Sequence, residues 1–279
     1  MAASLFFPSH AAVADQPVTF EILETFDYPG ALVTVANAVN ERSEVAGTFE
    51  SPAQYGFVRF RNSFSRPIRD PNDRSRSTVL AGINNTDTVA GYYLGTDRSY
   101  HSFLLSGSIF SEIDAGVANI IMGGVNDTDN VCGSTLAPYN AFVVIDGTPS
   151  VFSIPGADVT NGSAINNLNQ CVGYFSDASG VYGFLRNADG SLDYPISNPG
   201  SQSTYLYGIN DLGWMVGSAI DGTTEHALLL GPENQHVTYD YPGATFTRFT
   251  GINNRRVITG FYEPGPHSFL VRVKFSAGE

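Results

Sequence analysis

The sequence predicts an all-β fold, a six-bladed β-propeller of four-stranded blades, and three observations lead to this prediction. The chain of 279 residues contains 29 Gly and 15 Pro, and with Asn and Thr they recur too often for long helices. Aromatic residues make up 12% of the chain, and together with the β-branched residues they favour strands that share a packed core. An internal repeat of about 40 residues is typical of propeller blades.

The repeat is centred on a Gly/Ala-Ile/Val-Asn motif, and a Gly follows seven residues after the Asn. The motif asparagines, 40 to 44 residues apart, are Asn40, Asn84, Asn126, Asn166, Asn210 and Asn253. The glycines that follow them are Gly47, Gly91, Gly133, Gly173, Gly217 and Gly260. Six copies at one offset do not arise by chance, so the chain is predicted to be a ring of similar β units.

Each unit is predicted to contain four short strands. The first strand ends at the motif, and a turn rich in Asn, Asp and Gly follows because these residues tolerate positive φ. The second strand carries Val-x-Gly and aromatic residues, as in 89–93, and the third begins at segments such as 101–105. The fourth strand ends in a Pro-Gly corner at Pro29, Pro155, Pro199 and Pro242. Because a strand interior disfavours Pro, this corner marks the crossover between units.

The N-terminal segment is predicted to close the ring by completing the last blade. Residues 25–31 read Thr-Phe-Asp-Tyr-Pro-Gly-Ala and resemble residues 238–244, where a fourth strand ends. The last repeat stops near Lys274 and lacks a fourth strand of its own. Residues near 20–31 would supply that strand and leave no unpaired sheet edge. The prediction is therefore one propeller domain over residues 15–279.

The pattern Gly-Ile-Asn-Asn, Val-x-Gly-Tyr-Tyr, His-Ser-Phe-Leu and Asp-Tyr-Pro-Gly-Ala resembles the HAF-type probable extracellular repeat of bacterial proteins. The resemblance covers roughly residues 20–272. It implies a repeated fold in an exported protein and no particular reaction, because no common activity defines that family. The first two units depart from the pattern, with Asp70-Pro71-Asn72 and Ala115-Gly116 in place of the corner.

Charge and targeting signals narrow the classes of function. The formal net charge of −13 argues against a nucleic-acid partner, because phosphate binding requires a basic face. No run of 18 apolar residues predicts a transmembrane helix. Ala12-Val13-Ala14 fits a signal-peptide cleavage pattern, so residues 1–14 are predicted to be a signal-peptide remnant or a disordered arm. We therefore expect a secreted or periplasmic protein, and a monomer.

Candidate binding residues are those that differ between units on the inner strands. A Thr recurs six residues before most motif asparagines, and at the next position the units diverge to Asn161, Tyr205 and Arg248. Arg248 is a candidate clamp for a carboxylate or for sugar hydroxyls. Tyr93 and Tyr262 end second strands and are candidate platforms for sugar rings, although alternation places half of such aromatic residues in the core. The alternative is that all of these are ordinary crossover residues.

Repeated polar residues have both a functional and a structural interpretation. The third strands begin with histidines that are candidate ligand-binding residues: His101, His226 and His267. Because the third strand lies far from the axis, these histidines are too far apart to share a metal ion. We expect each of them to hold a crossover loop. The motif asparagines either form a ring of amides at one channel mouth or cap their own turns. Capping is favoured, because a residue present in every unit serves the unit.

Two further groups of residues carry expectations. Cys132 and Cys171 are predicted to be two buried thiols on adjacent blades, because packed sheets lie about 10 Å apart and a disulfide requires Cα atoms within about 7 Å. Six of the 14 basic residues cluster in the first unit and form either a patch for an anionic partner or a solvated loop. They are Arg59, Arg61, Arg66, Arg69, Arg74 and Arg76.

Two functions are compatible with these observations and both stay open. The first is an exported, non-catalytic propeller that binds a glycan, a small molecule, a cell-envelope component or a protein on its crossover face, with no cofactor. The second is a lyase or hydrolase that acts on a sugar acid or lactone with the help of a divalent cation. No common catalytic motif occurs and no catalytic residue is identified. Carboxylates and imidazoles at one channel mouth would favour the enzyme; aromatic residues around an empty pocket would favour binding.

Overall fold

The computed structural model describes residues 18–275, and its 24 strands, numbered in chain order, form an all-β propeller. The inner strands are β2 (Val33–Val39), β6 (Val79–Ile83), β10 (Ile120–Val125), β14 (Val159–Ile165), β18 (Ser203–Ile209) and β22 (Phe246–Ile252). The second strands are β3 (Val45–Glu50), β7 (Thr88–Leu94), β11 (Val131–Thr135), β15 (Cys171–Asp177), β19 (Met215–Asp221) and β23 (Val257–Glu263). The predicted leader, residues 1–14, lies outside the described residues.

The third strands are β4 (Gln54–Phe60), β8 (Tyr100–Ser106), β12 (Ala141–Ile145), β16 (Gly180–Arg186), β20 (Thr224–Leu230) and β24 (His267–Phe275). The outer strands are β5 (Ser63–Phe64), β9 (Ile109–Glu112), β13 (Thr148–Phe152), β17 (Leu192–Ile196), β21 (His236–Tyr239) and β1 (Val18–Phe26). Neighbouring strands within each repeat pair antiparallel, so each repeat is a meander that runs from the axis outward.

The prediction of six separate four-stranded blades is wrong. In residues 18–275 only four sheets are independent four-stranded blades: β2–β5, β6–β9, β10–β13, and β22–β24 with β1. The other eight strands, β14–β21, form one continuous sheet because β16 pairs with β18 in parallel at Val181 and Ser203. The reason is local: the third strand of a repeat begins beside the entry of the next inner strand. The isolated bridge between Gln54 and Ser77 shows the same approach elsewhere in the ring.

The N-terminal strand joins the sheet of the last repeat, as the sequence predicts. β1 pairs antiparallel with β24 from Val18–Phe275 to Phe26–Ser268. The buried Arg59 on β4 makes a bidentate ion pair with Glu24 on β1, at 2.6 and 2.7 Å. Its guanidinium also lies 4.3 Å from the ring centroid of Phe26. The first repeat and the closing strand lie in different sheets, and these side chains hold them together.

In five of the six repeats, the Gly that follows the motif leaves space for a Phe ring from the third strand; in the fifth repeat Gly217 pairs with Leu228 instead. Gly47 pairs with Phe57 and Gly91 with Phe103, and a Cβ at either glycine would lie 2.6 Å from a ring atom of its Phe partner. Because any side chain there would clash with a fully buried ring, the offset of seven residues is a packing requirement. The repeated Gly therefore serves the core of each repeat.

The small residue of the motif lets inner strands approach each other around the axis. A Cβ at Gly82 would lie 3.0 Å from the Cα of Gly124, and one at Gly251 would lie 3.1 Å from the Cα of Ala38. Larger side chains would push the inner strands apart. The motif therefore encodes the radius of the ring as well as the turn that follows it.

The expectation of two buried thiols is wrong, because Cys132 and Cys171 form a disulfide with Cα atoms 6.2 Å apart. The general sheet spacing of about 10 Å does not apply near the axis, where neighbouring sheets converge. Gly162 lies between the two cysteines, and a Cβ there would be 2.8 Å from the Cys132 sulfur. The absence of a side chain at Gly162 allows the second strands β11 and β15 to be linked.

Candidate functional site

A cavity of about 410 Å³ lies on the axis where the inner strands begin, and all six inner strands line it. We call it the axial cavity. Its aromatic residues are Tyr92, Tyr174, Tyr207 and Phe261. Its polar residues are Asn37, Ser134, Asn161, Ser163, Arg248 and Thr250. The lining contains no Asp, Glu or His, so uncharged hydrogen-bonding groups and ring faces dominate the surface that a ligand would meet.

Of the three predicted inner-strand residues, Asn161 and Arg248 line the axial cavity and Tyr205 stands beside it. The Tyr205 ring packs against Tyr174 at 4.9 Å and stacks on Tyr207 at 6.1 Å. The divergence between repeats at this position therefore does mark a local difference in chemistry. It brings an amide, a guanidinium and a group of three tyrosines to one side of the channel.

The expectation that Arg248 is free to clamp a carboxylate is wrong, because Glu225 already occupies its guanidinium. Arg248 Nε donates to Glu225 Oε1 at 2.7 Å, and Nη2 donates to Oε2 at 3.1 Å. The guanidinium carbon also lies 5.0 Å from the Tyr207 centroid and 5.4 Å from that of Phe261. A charge that is already paired in this way adds a hydrogen-bond donor to the cavity but little net positive potential.

The tyrosines of the axial cavity are neutral hydrogen-bonding groups. Burial raises the pKa of Tyr92 to about 12 and also raises the pKa of Tyr174 and Tyr207. Since each phenol stays protonated well above neutral pH, each presents an O–H that donates and accepts. Neutral hydroxyl and amide groups beside ring faces suit a ligand that is itself rich in hydroxyl groups.

Tyr93 and Tyr262, the predicted stacking platforms, do not line the axial cavity. Tyr93 is buried in its own sheet and stacks on His101 at 5.3 Å. Tyr262 stacks on Tyr241 with centroids 4.0 Å apart. Side chains alternate along a strand, and the preceding residues, Tyr92 and Phe261, are the ones that face the cavity.

Sequence reasoning missed a β-bulge in each inner strand. Each register shift falls two residues before the motif Ile/Val and leaves one residue unpaired. The unpaired residues are Asn37, Ala81, Gly123, Ser163, Tyr207 and Thr250. All six line the axial cavity. A bulge re-aims a side chain, so this position carries as much of the site's chemistry as the one that the sequence singles out.

The motif asparagines form a closed hydrogen-bonded ring at the opposite end of the channel. Asn210 Oδ1 accepts from the backbone N–H groups of Leu212 and Trp214, which is the predicted cap. Its Nδ2 donates to the backbone oxygen of Asn253, and the same link runs from each repeat to the next until Asn253 returns to Asn40. Each asparagine therefore both caps a turn and joins two repeats.

The three histidines hold crossover segments and lie outside the axial cavity. His226 Nδ1 is 2.7 Å from Asp240, and His267 Nδ1 is 2.8 Å from Asp27. His101 lies 3.1 Å from Asp97 and 3.3 Å from Glu112. Each imidazole therefore joins the start of a third strand to a neighbouring loop or outer strand. Within residues 18–275, no three His, Cys, Asp or Glu residues are placed to hold a metal ion.

His101 and His236 are expected to titrate on opposite sides of the ordinary histidine value of about 6.5. Partial burial opposes a charged His101, but hydrogen bonds to Asp97 and Glu112 outweigh it and raise its pKa. Burial alone lowers the pKa of His236. A two-dimensional NMR titration of the imidazole resonances measures both values. The stabilisation from charged His101 is complete at low pH and is lost as the pH rises through its folded-state pKa.

The matched variant Glu112→Gln should lower the pKa of His101 and leave that of His236 unchanged. Equal pKa values for the two histidines in the parent protein would contradict this assignment of their surroundings.

The arginine cluster of the first repeat divides into one structural residue and five exposed residues. Arg59 is buried in its pair with Glu24. The exposed residues are Arg61, Arg66, Arg69, Arg74 and Arg76. None of these five makes an ion pair among the described residues, so they form a solvated basic edge on an otherwise acidic protein.

No protein-family model and no curated protein matches the sequence. Several solved structures resemble the fold. A catalytically inactive virginiamycin B lyase from Staphylococcus aureus, with quinupristin, is 11% identical with a TM-score of 0.55, covering 90% of this chain and 99% of that one. A gluconolactonase from Xanthomonas campestris is 12% identical with a TM-score of 0.55, covering 95% and 94%.

The lectin of Aleuria aurantia, in complex with Fucα1-6GlcNAc, is 11% identical with a TM-score of 0.55, covering 88% of this chain and 96% of that one. At such identities the likeness shows the β-propeller fold alone, and the three proteins differ in what they do. A binding role and an enzymatic role are therefore both compatible with the fold. No helix among the described residues is long and apolar enough to cross a membrane.

Proposed function

We propose that this protein is a non-catalytic binding propeller whose axial cavity takes a neutral saccharide. The observation that carries the proposal is the cavity lining, in which four aromatic side chains surround amide and hydroxyl groups without any carboxylate or imidazole. Its volume of about 410 Å³ falls within the range of small-molecule sites. Sugar rings present an apolar C–H face and hydroxyl edges, which match aromatic faces and neutral polar groups.

The pairing of Arg248 with Glu225 favours a neutral sugar over an acidic one. The two side chains cancel each other's charge at 2.7 and 3.1 Å, so a uronate carboxylate would have to displace Glu225 to gain a bidentate partner. Asn161 and the tyrosine hydroxyls can donate to and accept from neutral hydroxyl groups at no such cost. The resemblance in fold to a fucose-binding lectin is consistent with this proposal and does not by itself support it.

The alternative is a metal-assisted lyase or hydrolase acting on a sugar acid or lactone. Such a site needs acid, base or ligand groups at the channel mouth. The lining of the axial cavity contains only uncharged groups and the paired Arg248, so the observations favour binding. A lyase and a gluconolactonase share the fold, so assays for these two activities would test the alternative.

We also propose that the protein is exported. A disulfide between two fully buried cysteines persists in oxidising compartments and is rare in the cytosol. The signal-peptide pattern before Asp15 points the same way. Quantifying free thiols in protein isolated from its native source under alkylating conditions tests this, since an exported protein should contain none.

Isothermal titration with a panel of neutral sugars and the matching uronic acids tests the binding proposal. We expect at least one neutral sugar to bind, and Tyr207→Ala to weaken it about tenfold because a stacking face is lost. Tyr207→Phe should have a smaller effect, and the exposed Tyr139→Ala serves as the control. Glu225→Gln should shift preference toward uronates, because it leaves the guanidinium of Arg248 unneutralised.

Thermal unfolding of each variant establishes that it is folded before its binding is compared. Binding of uronates as tight as that of neutral sugars in the parent protein would contradict the proposal. So would a sugar whose affinity is unchanged by both Tyr207→Ala and Asn161→Ala, or a panel in which nothing binds.

A further inference from the structure

A second, smaller cavity of about 130 Å³ lies inside the second repeat, away from the axis. We call it the Asp70 slot, and it is lined by Asp70, Tyr93, His101, Phe103, Phe110 and Glu112. None of these residues lines the axial cavity. The chemistry of the slot is therefore independent of saccharide binding.

In two sister repeats a stacked tyrosine ring fills this position. Tyr28 stacks on Phe49 with ring centroids 3.6 Å apart and planes at 4°, and Tyr241 stacks on Tyr262 at 4.0 Å and 3°. In each case the tyrosine belongs to the corner before the inner strand, and its partner ends the second strand. The stacked ring occupies the space between corner and sheet.

Asp70 stands where those tyrosines stand. The backbone N–H of Tyr28 donates to Thr34 Oγ1 at 3.0 Å, and that of Tyr241 donates to Thr247 Oγ1 at 2.9 Å. The N–H of Asp70 makes the same bond to Thr78 Oγ1 at 3.3 Å. Its aromatic counterpart is Tyr93, which, like Phe49 and Tyr262, lies nine residues after the motif Asn.

The slot is thus the volume that a stacked ring would fill, and a carboxylate replaces the ring. In the two sister repeats this space holds a planar group against an aromatic face. Tyr93 supplies that face here, and the pKa of its phenol is raised by burial and by Asp70. A planar occupant that stacks on Tyr93 is the one that the fold accepts elsewhere.

The charge of the slot is negative and unbalanced. Asp70 is only 3% exposed, yet no Arg or Lys among the described residues makes an ion pair with it. Its Oδ1 accepts from the N–H of Asn72 at 2.8 Å, whereas Oδ2 accepts no hydrogen bond from the described residues. Among residues 18–275, Glu112 forms an ion pair only with His101, at 3.3 Å.

A buried carboxylate without a positive partner is costly, and proteins normally pair such a group. Burial, reinforced by Asp73 and Glu112, raises the pKa of Asp70 against the lowering effects of the Asn72 N–H and of His101. Residues 1–17 and 276–279 contain no Arg or Lys. Those two terminal segments therefore offer no guanidinium or lysine ammonium to fill the slot.

We propose that the Asp70 slot binds the planar guanidinium group of an arginine side chain from a partner protein. The guanidinium would stack on Tyr93 and donate to the carboxylates of Asp70 and Glu112. Guanidinium combines a planar shape, a delocalised positive charge and a fork of donors that matches a carboxylate. A lysine ammonium is positively charged but not planar, and a neutral aromatic ring is planar but uncharged.

Titration with two matched probes tests this proposal. N-acetyl-arginine amide carries the guanidinium, and N-acetyl-citrulline amide has the same shape without the charge. Backbone-amide NMR should show saturable shifts at Tyr93 and Ser102 with the arginine probe. Binding of the citrulline probe should be about tenfold weaker or worse, as expected for loss of a charge-assisted pair.

Variants of Asp70 complete the test. Asp70→Asn keeps the side-chain shape and should weaken binding of the arginine probe about tenfold, whereas Asp221→Asn, at the exposed end of β19 in another repeat, should change nothing. Asp70→Tyr should fill the slot as in the sister repeats and abolish binding.

Equal affinity for the arginine and citrulline probes would overturn the proposal. Unchanged affinity in Asp70→Asn, or no shifts at the slot residues, would overturn it as well. Because Asp70→Asn removes only the charge, the test stands even if Asp70→Tyr fails to fold. Failure of saccharide binding would leave every one of these outcomes unaffected.

Discussion

Replacing Asn210 by Ala is expected to lower the free energy of unfolding by about 3 kcal/mol, because it removes two buried hydrogen bonds and one partly buried hydrogen bond at once. Asn210 Oδ1 accepts from the N–H groups of Leu212 and Trp214, and Nδ2 donates to the oxygen of Asn253. Alanine leaves these groups without partners, and the Trp214 N–H and the Asn253 carbonyl lie in buried surroundings. Equilibrium denaturation in urea measures the loss.

Two further variants separate the cap from the link between repeats. Asn210→Asp keeps an acceptor for both N–H groups but places a carboxylate oxygen against the Asn253 carbonyl, so it should lose the link and retain the cap. Asn62→Ala, at an exposed position, should cost less than about 0.5 kcal/mol. An Asn210→Ala variant as stable as Asn62→Ala would show that the ring does not hold the propeller together.

Replacing Arg59 by Ala is expected to lower the free energy of unfolding by about 2–4 kcal/mol. This is somewhat less than the loss expected for a fully buried ion pair, because Glu24 is partly exposed. The change leaves Glu24 without its bidentate partner and removes the guanidinium packed against Phe26 and Phe64. Hydrogen exchange along β1 should accelerate more than exchange in β10–β13, which lie elsewhere in the ring.

The chain offers a control ion pair on the same closing strand, β1. Lys274 and Glu21 form an ion pair at 3.0 Å between β24 and β1, with side chains 54% and 42% exposed. Lys274→Ala should cost less than about 1 kcal/mol, as exposed pairs do. If Arg59→Ala and Lys274→Ala destabilise the protein equally, the buried pair is not what fastens the closing strand.

Most of the fold can be predicted from the sequence because the same packing requirements recur from repeat to repeat. In five repeats the Gly after the motif must make room for Phe57 or its counterpart, and in every repeat the small residue before the Ile/Val must allow inner strands to meet. Because these requirements recur, they are visible in the sequence as a repeat of about 40 residues. The division into sheets was not predictable, since one parallel bridge between Val181 and Ser203 joins two repeats and depends on a local approach of the backbone.

The candidate sites depend on features that the repeat pattern of the sequence does not reveal. That Arg248 pairs with Glu225 could not be read from residues 23 positions apart, and the disulfide depended on the missing side chain of Gly162. The bulges decided which inner-strand residues face the axial cavity, and alternation along the second strands places Tyr92 and Phe261 on its lining instead of Tyr93 and Tyr262. The altered corner at Asp70 was visible in the sequence. The cavity beside Asp70 can be recognised only by comparison with the two repeats in which a tyrosine ring fills the same position.

A crystal structure of the protein with the tightest-binding neutral sugar of the panel would locate the saccharide site without ambiguity. We expect a sugar ring in the axial cavity, with its C–H face against Tyr207, Tyr174 or Tyr92 and with hydroxyl groups bonded to Asn161 or Arg248. The Arg248–Glu225 pair should remain intact. A sugar bound on the outer strands or at the asparagine ring, with the axial cavity filled only by water, would contradict saccharide binding at the axis.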